Sequence, residues 1–298
     1  MFNADYYYLK MKTHYLSLPY SGKKRRVRVL LPKNYQQESA SYPVVYMHDG
    51  QNVFYSKESF LGYSWKVIPT LKRNPDLAKM IVVGIDNDPQ TRADDYNAWS
   101  FENPSDPKAR PLGGLGNDFS DFIMKVVKPF IDQTYRTKTD KKHTAMIGSS
   151  FGANITAYMG IKYADQIGRL GIFSLAQWIA QEPFDRYLKS QSLDPEQKIY
   201  LQVGTKEGDD TDRLFIPGNM AQAYIDASLH YQALLIAGGI PIENIDFNIY
   251  VDEEHNEFYW AKHLPDCLRF LSSGWWRYEN VLKIIFRLFQ LNCSQILI

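Results

Sequence analysis

Residues 144–159 read T-A-M-I-G-S-S-F-G-A-N-I-T-A-Y-M, and the order of residue types in this stretch decides the fold. A short apolar run ends in Gly148-Ser149-Ser150-Phe151-Gly152, a G-x-S-x-G pattern, and passes into small residues of helical character. A strand, a sharp turn and a helix in immediate succession hold the central serine in a strained backbone conformation. Glycines two positions to either side relieve the steric conflict of such a turn. The Ser150 hydroxyl is then expected at the C-terminal end of the strand. The following helix would direct its N-terminus at the same point, where N–H groups and the helix dipole favour a developing negative charge. The segment predicts a serine nucleophile.

The chain on either side supplies the sheet that this turn needs. Tyr42–Met47 and Met80–Ile85 are short, valine-rich, almost continuous apolar runs bounded by turn residues, which predicts strands buried on both faces. His143–Ile147 and Ile199–Val203 repeat the pattern, and Phe247–Val251 alternates. Helices are expected over Ser64–Leu71, Asn117–Tyr135 with an interruption at Pro129, Ala153–Tyr163 and Met220–Ala237. Strands alternating with helices imply βαβ units, hence an α/β fold with a mainly parallel sheet and helices on both faces. The opening, Y-L-S-L-P, Ser21-Gly22 and then R-R-V-R-V-L-L at 25–31, reads as a β-hairpin. Its basic run, Lys23–Arg28, with valines interleaved, reads as a solvated strand face. Residues 87–116 carry prolines and glycines without periodicity and are expected to fold over the ends of the strands.

Composition narrows the function. Lys and Arg number 34 against 33 Asp and Glu, a formal net charge of +1, with 45% hydrophobic and 22% charged residues. That is ordinary globular usage and argues against a nucleic-acid partner, which would need concentrated basic charge. Two cysteines, Cys267 and Cys293, are too few for a disulfide scaffold. The first residues, M-F-N-A-D-Y-Y-Y-L-K, lack a basic segment followed by an apolar run, so the sequence reads as soluble and cytoplasmic. One catalytic domain is expected over residues 1–274 and an apolar helical tail over 275–298. Lys283, Arg287, Gln290 and Ser294 fall at helical spacing in that tail, which argues against a membrane-spanning helix. The tail is instead expected to dock on the domain or on a second copy of the chain, a homo-oligomer.

A serine hydroxyl needs a base, usually a histidine oriented by a carboxylate. Of the histidines after Ser150, His230 and His263 sit in helical patterns, whereas His255 lies in the loop D-E-E-H-N-E after the strand F-N-I-Y-V. Glu207 follows the strand I-Y-L-Q-V in the loop G-T-K-E-G, with Asp209, Asp210 and Asp252 as rivals for the acid. His48 beside Asp49 reads as scaffold rather than a metal site. The acidic run Glu207, Asp209, Asp210 and Asp212 lacks a complete calcium-loop pattern. No metal or cofactor is expected. Tyr96, Trp99 and Trp178 are candidate substrate contacts.

Six ordered segments carry a resemblance: Y-P-V-V-Y-M-H-D-G-Q-N-V-F (42–54), I-V-V-G-I-D-N (81–87), K-P-F-I-D-Q-T-Y-R-T (128–137), G-S-S-F-G (148–152), V-G-T-K-E-G (203–208) and E-H-N-E-F-Y-W (254–260). From about Lys12 to Ser272 the chain resembles the esterase family of α/β-hydrolases that includes enterochelin-type esterases, feruloyl esterases and mycolyltransferases. Ala153 stands where the family usually has glycine. The resemblance implies an α/β-hydrolase fold with Ser150 as nucleophile, His255 as base and Glu207 as acid. It also implies an oxyanion hole made by the backbone N–H groups of Phe151 and Gln51, with Gly50 freeing the turn. The expected activity is a serine carboxylesterase acting on short-chain acyl or aryl esters of small molecules through an acyl-enzyme. The alternatives are an acyltransferase using the same acyl-enzyme, or a siderophore-type esterase.

Overall fold

The valine-rich runs form the centre of one eight-stranded sheet, seen in a computed structural model that describes residues 11–103, 106, 108–208 and 219–275. Its strands are β1 (Met11–Ser17), β2 (Lys24–Leu30), β3 (Val44–Met47), β4 (Ile81–Ile85), β7 (Thr144–Ser150), β8 (Arg169–Leu175), β9 (Lys198–Lys206) and β10 (Ile245–Glu254). A two-residue ribbon pairs β5 (Ser100–Phe101) with β6 (Leu112–Gly113). The helices are α1 (Val67–Arg73), α2 (Arg92–Asp95), α3 (Gly116–Phe122), α4 (Lys128–Thr134), α5 (Phe151–Lys162), α6 (Gln181–Lys189), α7 (Met220–Ala237) and α8 (Glu257–Leu271). The sheet order is β1-β2-β4-β3-β7-β8-β9-β10. β2 is antiparallel to both its neighbours, and all pairs from β4 to β10 are parallel. This is the α/β-hydrolase fold that the sequence predicts.

The apolar runs divide by strand period, because successive side chains point to opposite faces. Val44, Tyr46, Ile81, Val83 and Met146 face a core closed by Phe119 of α3, Ile155 and Met159 of α5, and Tyr231 of α7. Val45, Met47, Val82, Ala145 and Ile147 face the other way, onto Trp65, Leu71 of α1, and Trp260 and Leu264 of α8. Two covered faces leave one open edge for chemistry, the C-terminal ends of the parallel strands.

Two expectations need correction. Pro129 does not interrupt the helix. α3 runs into α4 through a π turn over Ile123–Val127, in which the Lys128 N–H bonds the Ile123 carbonyl. The wider turn accommodates a ring that lacks an N–H and would crowd the preceding carbonyl of a regular helix. Second, the basic run in the first hairpin is not a solvated face. Lys23 and Lys24 are exposed, but Arg25 and Arg28 are buried, Arg25 against Asp95 at 2.9 Å. Within the described part of residues 87–116, Asp94 accepts the Gly113 N–H at 2.8 Å and pairs with Arg110 at 2.6 Å. Trp275 closes the second core and donates to the Lys142 carbonyl at 2.6 Å. The remainder of the expected tail, 276–298, lies outside the described residues, as do Asp209, Asp210 and Asp212.

Candidate active site

Ser150 ends β7 with φ 59° and ψ −127°, in the left-handed half of backbone space, and α5 begins at the next residue. Only a tight fit forces a non-glycine residue into that region. The glycines show the fit. A Cβ on Gly148 would sit 2.2 Å from the Gly152 carbonyl oxygen, so no side chain is tolerated there. A Cβ on Gly152 would meet Asp49 Oδ2 at 3.3 Å and the His48 Cβ at 3.4 Å, which locates the loop after β3 against the start of α5. Ser149 is buried and Ser150 is half-buried, so the two adjacent serines differ in access.

On the other side, His255 Nδ1 bonds Glu207 Oε2 at 2.6 Å. The Glu207 side chain has no exposed surface. Its second oxygen, Oε1, accepts from Ser174 Oγ at 2.6 Å and from the Gly204 N–H at 2.7 Å. Ser174 Oγ in turn accepts from Trp260 Nε1 at 2.8 Å. An indole N–H can only donate, so the Ser174 proton goes to the carboxylate. The same logic gives His255 its tautomer: Nδ1 carries the hydrogen and Nε2 is the basic nitrogen. The imidazole lies between Tyr224, centroid at 4.7 Å, and the edge of Trp260 at 5.0 Å.

Strand register gathers these groups. Ser150 pairs with Leu175 of β8, and the neighbouring Ser174, itself at φ 51°, bonds Glu207 at the end of β9. Beyond β9, a bulge delivers His255. Between the pairs Tyr250–Gly204 and Glu254–Lys206, β10 has three residues where β9 has one, with Asp252 at φ 61°. Bulges of this kind re-aim the chain beside a site. Asn256 then caps α8, its side chain accepting the Phe258 N–H at 3.1 Å, which stops the loop directly after His255. Asp252, the rival acid, pairs with Lys206 at 2.9 Å and is largely exposed. His230 pairs with Asp185 and His263 with Glu253, each at 2.7 or 2.6 Å, away from this constellation.

The loop after β3 is held by ions. Asp49, at φ 52°, takes two bonds from Arg92 at 2.9 Å and another from Asn87. Burial alone would raise the Asp49 carboxyl, but the Arg92 charge and these hydrogen bonds hold it below the usual range. Burial likewise opposes the Arg92 charge, and Asp49 reverses the effect and raises its pKa. The Arg92 guanidinium also lies over the rings of Tyr96 and Phe151, 5.2 and 5.6 Å from their centroids. His48 is enclosed by Tyr96 and Phe119, and burial lowers its pKa to about 4. Gln51 belongs to the short turn Gly50–Asn52, its side-chain oxygen accepting the Asn87 N–H at 3.1 Å.

Of the aromatic candidates, Tyr96 is 0% exposed, and its hydroxyl accepts the Asp49 N–H at 3.0 Å, so it supports the loop. Trp99 packs among Tyr158, Phe184 and Tyr187. Trp178 meets Tyr224, the residue that also covers His255. Sequence reasoning overlooked Ser174, Arg92 and Trp260. Only E-H-N-E-F-Y-W hinted at Trp260, through its nearness to His255. Among the described residues no group of His, Cys, Asp and Glu is placed to hold a metal ion.

With fold and site in view, the class is clear: an α/β-hydrolase with a serine at its strand–helix elbow. The profile of the family described as "Putative esterase" matches residues 19–271, and the chain belongs to that family. It is 27% identical over 185 residues to the uncharacterized protein YbbA of Bacillus subtilis (strain 168), 62% of this chain and 69% of that one. A ferulic acid esterase superposes with a TM-score of 0.65 at 17% identity, over 89% of this chain and 98% of the other. The enterobactin esterase FES from Shigella flexneri gives a TM-score of 0.66 at 19% identity, over 90% of this chain and 61% of that one. The protein is an esterase whose substrate is a small-molecule ester. Among the described residues no helix is long and apolar enough to cross a membrane.

Proposed function

We propose that the protein is a serine carboxylesterase that works through an acyl-enzyme on Ser150. The observation that carries this reading is the His255–Glu207 pair at 2.6 Å, with every Glu207 oxygen engaged, at the same sheet edge as the strained serine. His255 Nε2 takes the Ser150 proton as Oγ attacks the ester carbonyl, and Glu207 stabilises the imidazolium. The N–H groups of Phe151 and Gln51 receive the oxyanion. His255 returns the proton to the leaving alcohol. It then activates water, which releases the acid and restores the serine.

The test is turnover of a panel of chromogenic esters, graded in acyl length and including aryl acids, by the native enzyme and by Ser150→Ala. Native turnover with near-complete loss in a folded variant is the expected result. A folded Ser150→Ala enzyme that retains native turnover overturns the reading. Added alcohols in the same assay separate hydrolysis from acyl transfer, and hydrolysis is expected to dominate.

A further inference from the structure

The proposed oxyanion hole depends on the direction of one peptide, Gly50–Gln51. A trans peptide is planar, and its C=O and N–H point opposite ways. Whatever holds the Gly50 carbonyl therefore aims the Gln51 N–H. Two donors hold it: the Val53 N–H at 3.1 Å, which closes the short turn, and the Nη2 of Arg28. Arg28 is 3% exposed and stands on β2, two strands away from β3, opposite Gly84 of β4. Gly50 packs on this same flank: a Cβ there would lie 2.7 Å from both the Gly84 carbonyl carbon and Asp86 Oδ1. The carbonyl is thus drawn toward the β2–β4 side of β3. The opposite side of β3 is β7, which ends in Ser150.

From this geometry we infer that Arg28 is a positioning residue of the oxyanion hole, turning the Gln51 N–H toward the ester oxygen by grasping the Gly50 carbonyl from behind. The inference rests on the serine-esterase reading and deepens it. The arginine is itself locked. Nη1 bonds Glu58 at 3.0 Å, Nη2 lies 3.5 Å from Asp86 Oδ1, and the guanidinium sits 5.3 Å from the Phe54 ring centroid. Arg26 bonds Asp86 at 2.7 Å and Glu58 at 3.2 Å, so two cations and two carboxylates balance in one cluster. A rigid planar fork can serve the carboxylates and the carbonyl at once, whereas an ammonium is a point charge without that geometry. The basic run of the first hairpin therefore has a task at the site, across 22 residues of sequence from Arg28 to Gly50.

The experiment compares Arg28→Met with Glu58→Gln. The second variant removes an ionic partner of Arg28 without removing the donor to Gly50. Arg28→Met should lower kcat about 100-fold with KM within about twofold, because loss of an oxyanion donor costs about 10²–10³ in kcat. It should weaken inhibition by a boronic acid, whose tetrahedral adduct mimics the oxyanion, by a similar factor. Glu58→Gln should change both by less than about fivefold. Added guanidinium should restore part of the Arg28→Met rate. If Arg28→Met does not fold, Arg28→Lys takes its place, with a loss of about tenfold expected. A folded Arg28 variant with native kcat, or equal losses in kcat from Glu58→Gln, overturns the inference. An inactive Ser150→Ala beside a fully active Arg28→Met would sink this inference alone, whereas an active Ser150→Ala would sink the parent reading.

Discussion

The two flanks of Ser150 are built from different materials. On the flank of β9 and β10, Glu207 is satisfied by a hydroxyl, a backbone N–H and the imidazole, with an indole behind the hydroxyl. On the flank of β3 and β4, the loop at 48–53 is held by buried or half-buried ions, Asp49 with Arg92, and Arg28 and Arg26 with Asp86 and Glu58. The first arrangement fixes a proton donor and acceptor in line. The second fixes a backbone loop that has no side chain of its own in the proposed chemistry. Removing a neutral donor costs part of one hydrogen bond, but removing one ion leaves its partner buried and uncompensated. Damage to the first flank should therefore appear mainly in kcat, and damage to the second in stability as well.

The largest effect is expected at Glu207. Glu207→Gln should keep substrate binding and lower kcat by up to about four orders of magnitude, the cost of a wrong imidazole tautomer. Asp252→Asn, at the exposed Lys206 pair, should stay within a fewfold of native in the same steady-state assay. A reversal of these two would transfer the acid's role to Asp252. On the opposite flank, Arg92→Met should destabilise the fold by about 3–5 kcal/mol in denaturant titration, because Asp49 is left buried and unpaired. Adding Asp49→Asn to Arg92→Met should recover much of that loss. Additive losses would remove the ion pair from the account.

What the sequence discloses follows the range of the forces involved. The elbow is legible because its requirement is local: a glycine, a serine and a glycine at fixed spacing between a strand and a helix. The central strands are legible as apolar runs, although which face each residue serves emerges only from their pairing. His255 and Glu207 are legible as loop residues after strands, since parallel strands put such loops at one edge. The ions are not. Arg25 and Arg28 look like a solvated face because their partners Asp95 and Asp86 stand 70 and 58 residues away. Ser174 is equally silent, for its bond to Glu207 spans 33 residues and its left-handed backbone leaves no mark in composition. α8 is legible as the helical pattern around His263, despite the internal Pro265.

Smaller effects sharpen the same contrast. His48, beside the ionic loop, is neutral in the fold, with burial lowering its pKa to about 4. The unfolded chain takes up that proton near its ordinary pKa of about 6.5, so the stabilisation is complete above that pH and is lost as pH falls from 6.5 toward 4. Relative to His48→Phe, the native protein should lose about 3 kcal/mol across that window in unfolding experiments. Parallel curves would mean that His48 titrates normally in the fold. On the flank of β9 and β10, Ser174→Ala removes a donor to Glu207 and the acceptor for Trp260. It should lower kcat by about tenfold, on the scale of one charge-assisted hydrogen bond, with a thermal midpoint a few degrees lower. A loss as large as that of Glu207→Gln would show that Glu207 cannot hold the imidazole without the Ser174 hydroxyl.

The most direct measurement is covalent. A p-nitrophenyl phosphonate ester traps an activated serine as a stable adduct, and peptide mass mapping reports which residue carries it. Ser149 and Ser150 are adjacent, one buried and one half-buried, so the assignment discriminates at single-residue resolution. The expected result is stoichiometric labelling of Ser150, loss of ester turnover in step with labelling, and no adduct in Ser150→Ala. Labelling at Ser149 or elsewhere, or full turnover by the enzyme carrying the Ser150 adduct, would contradict the account.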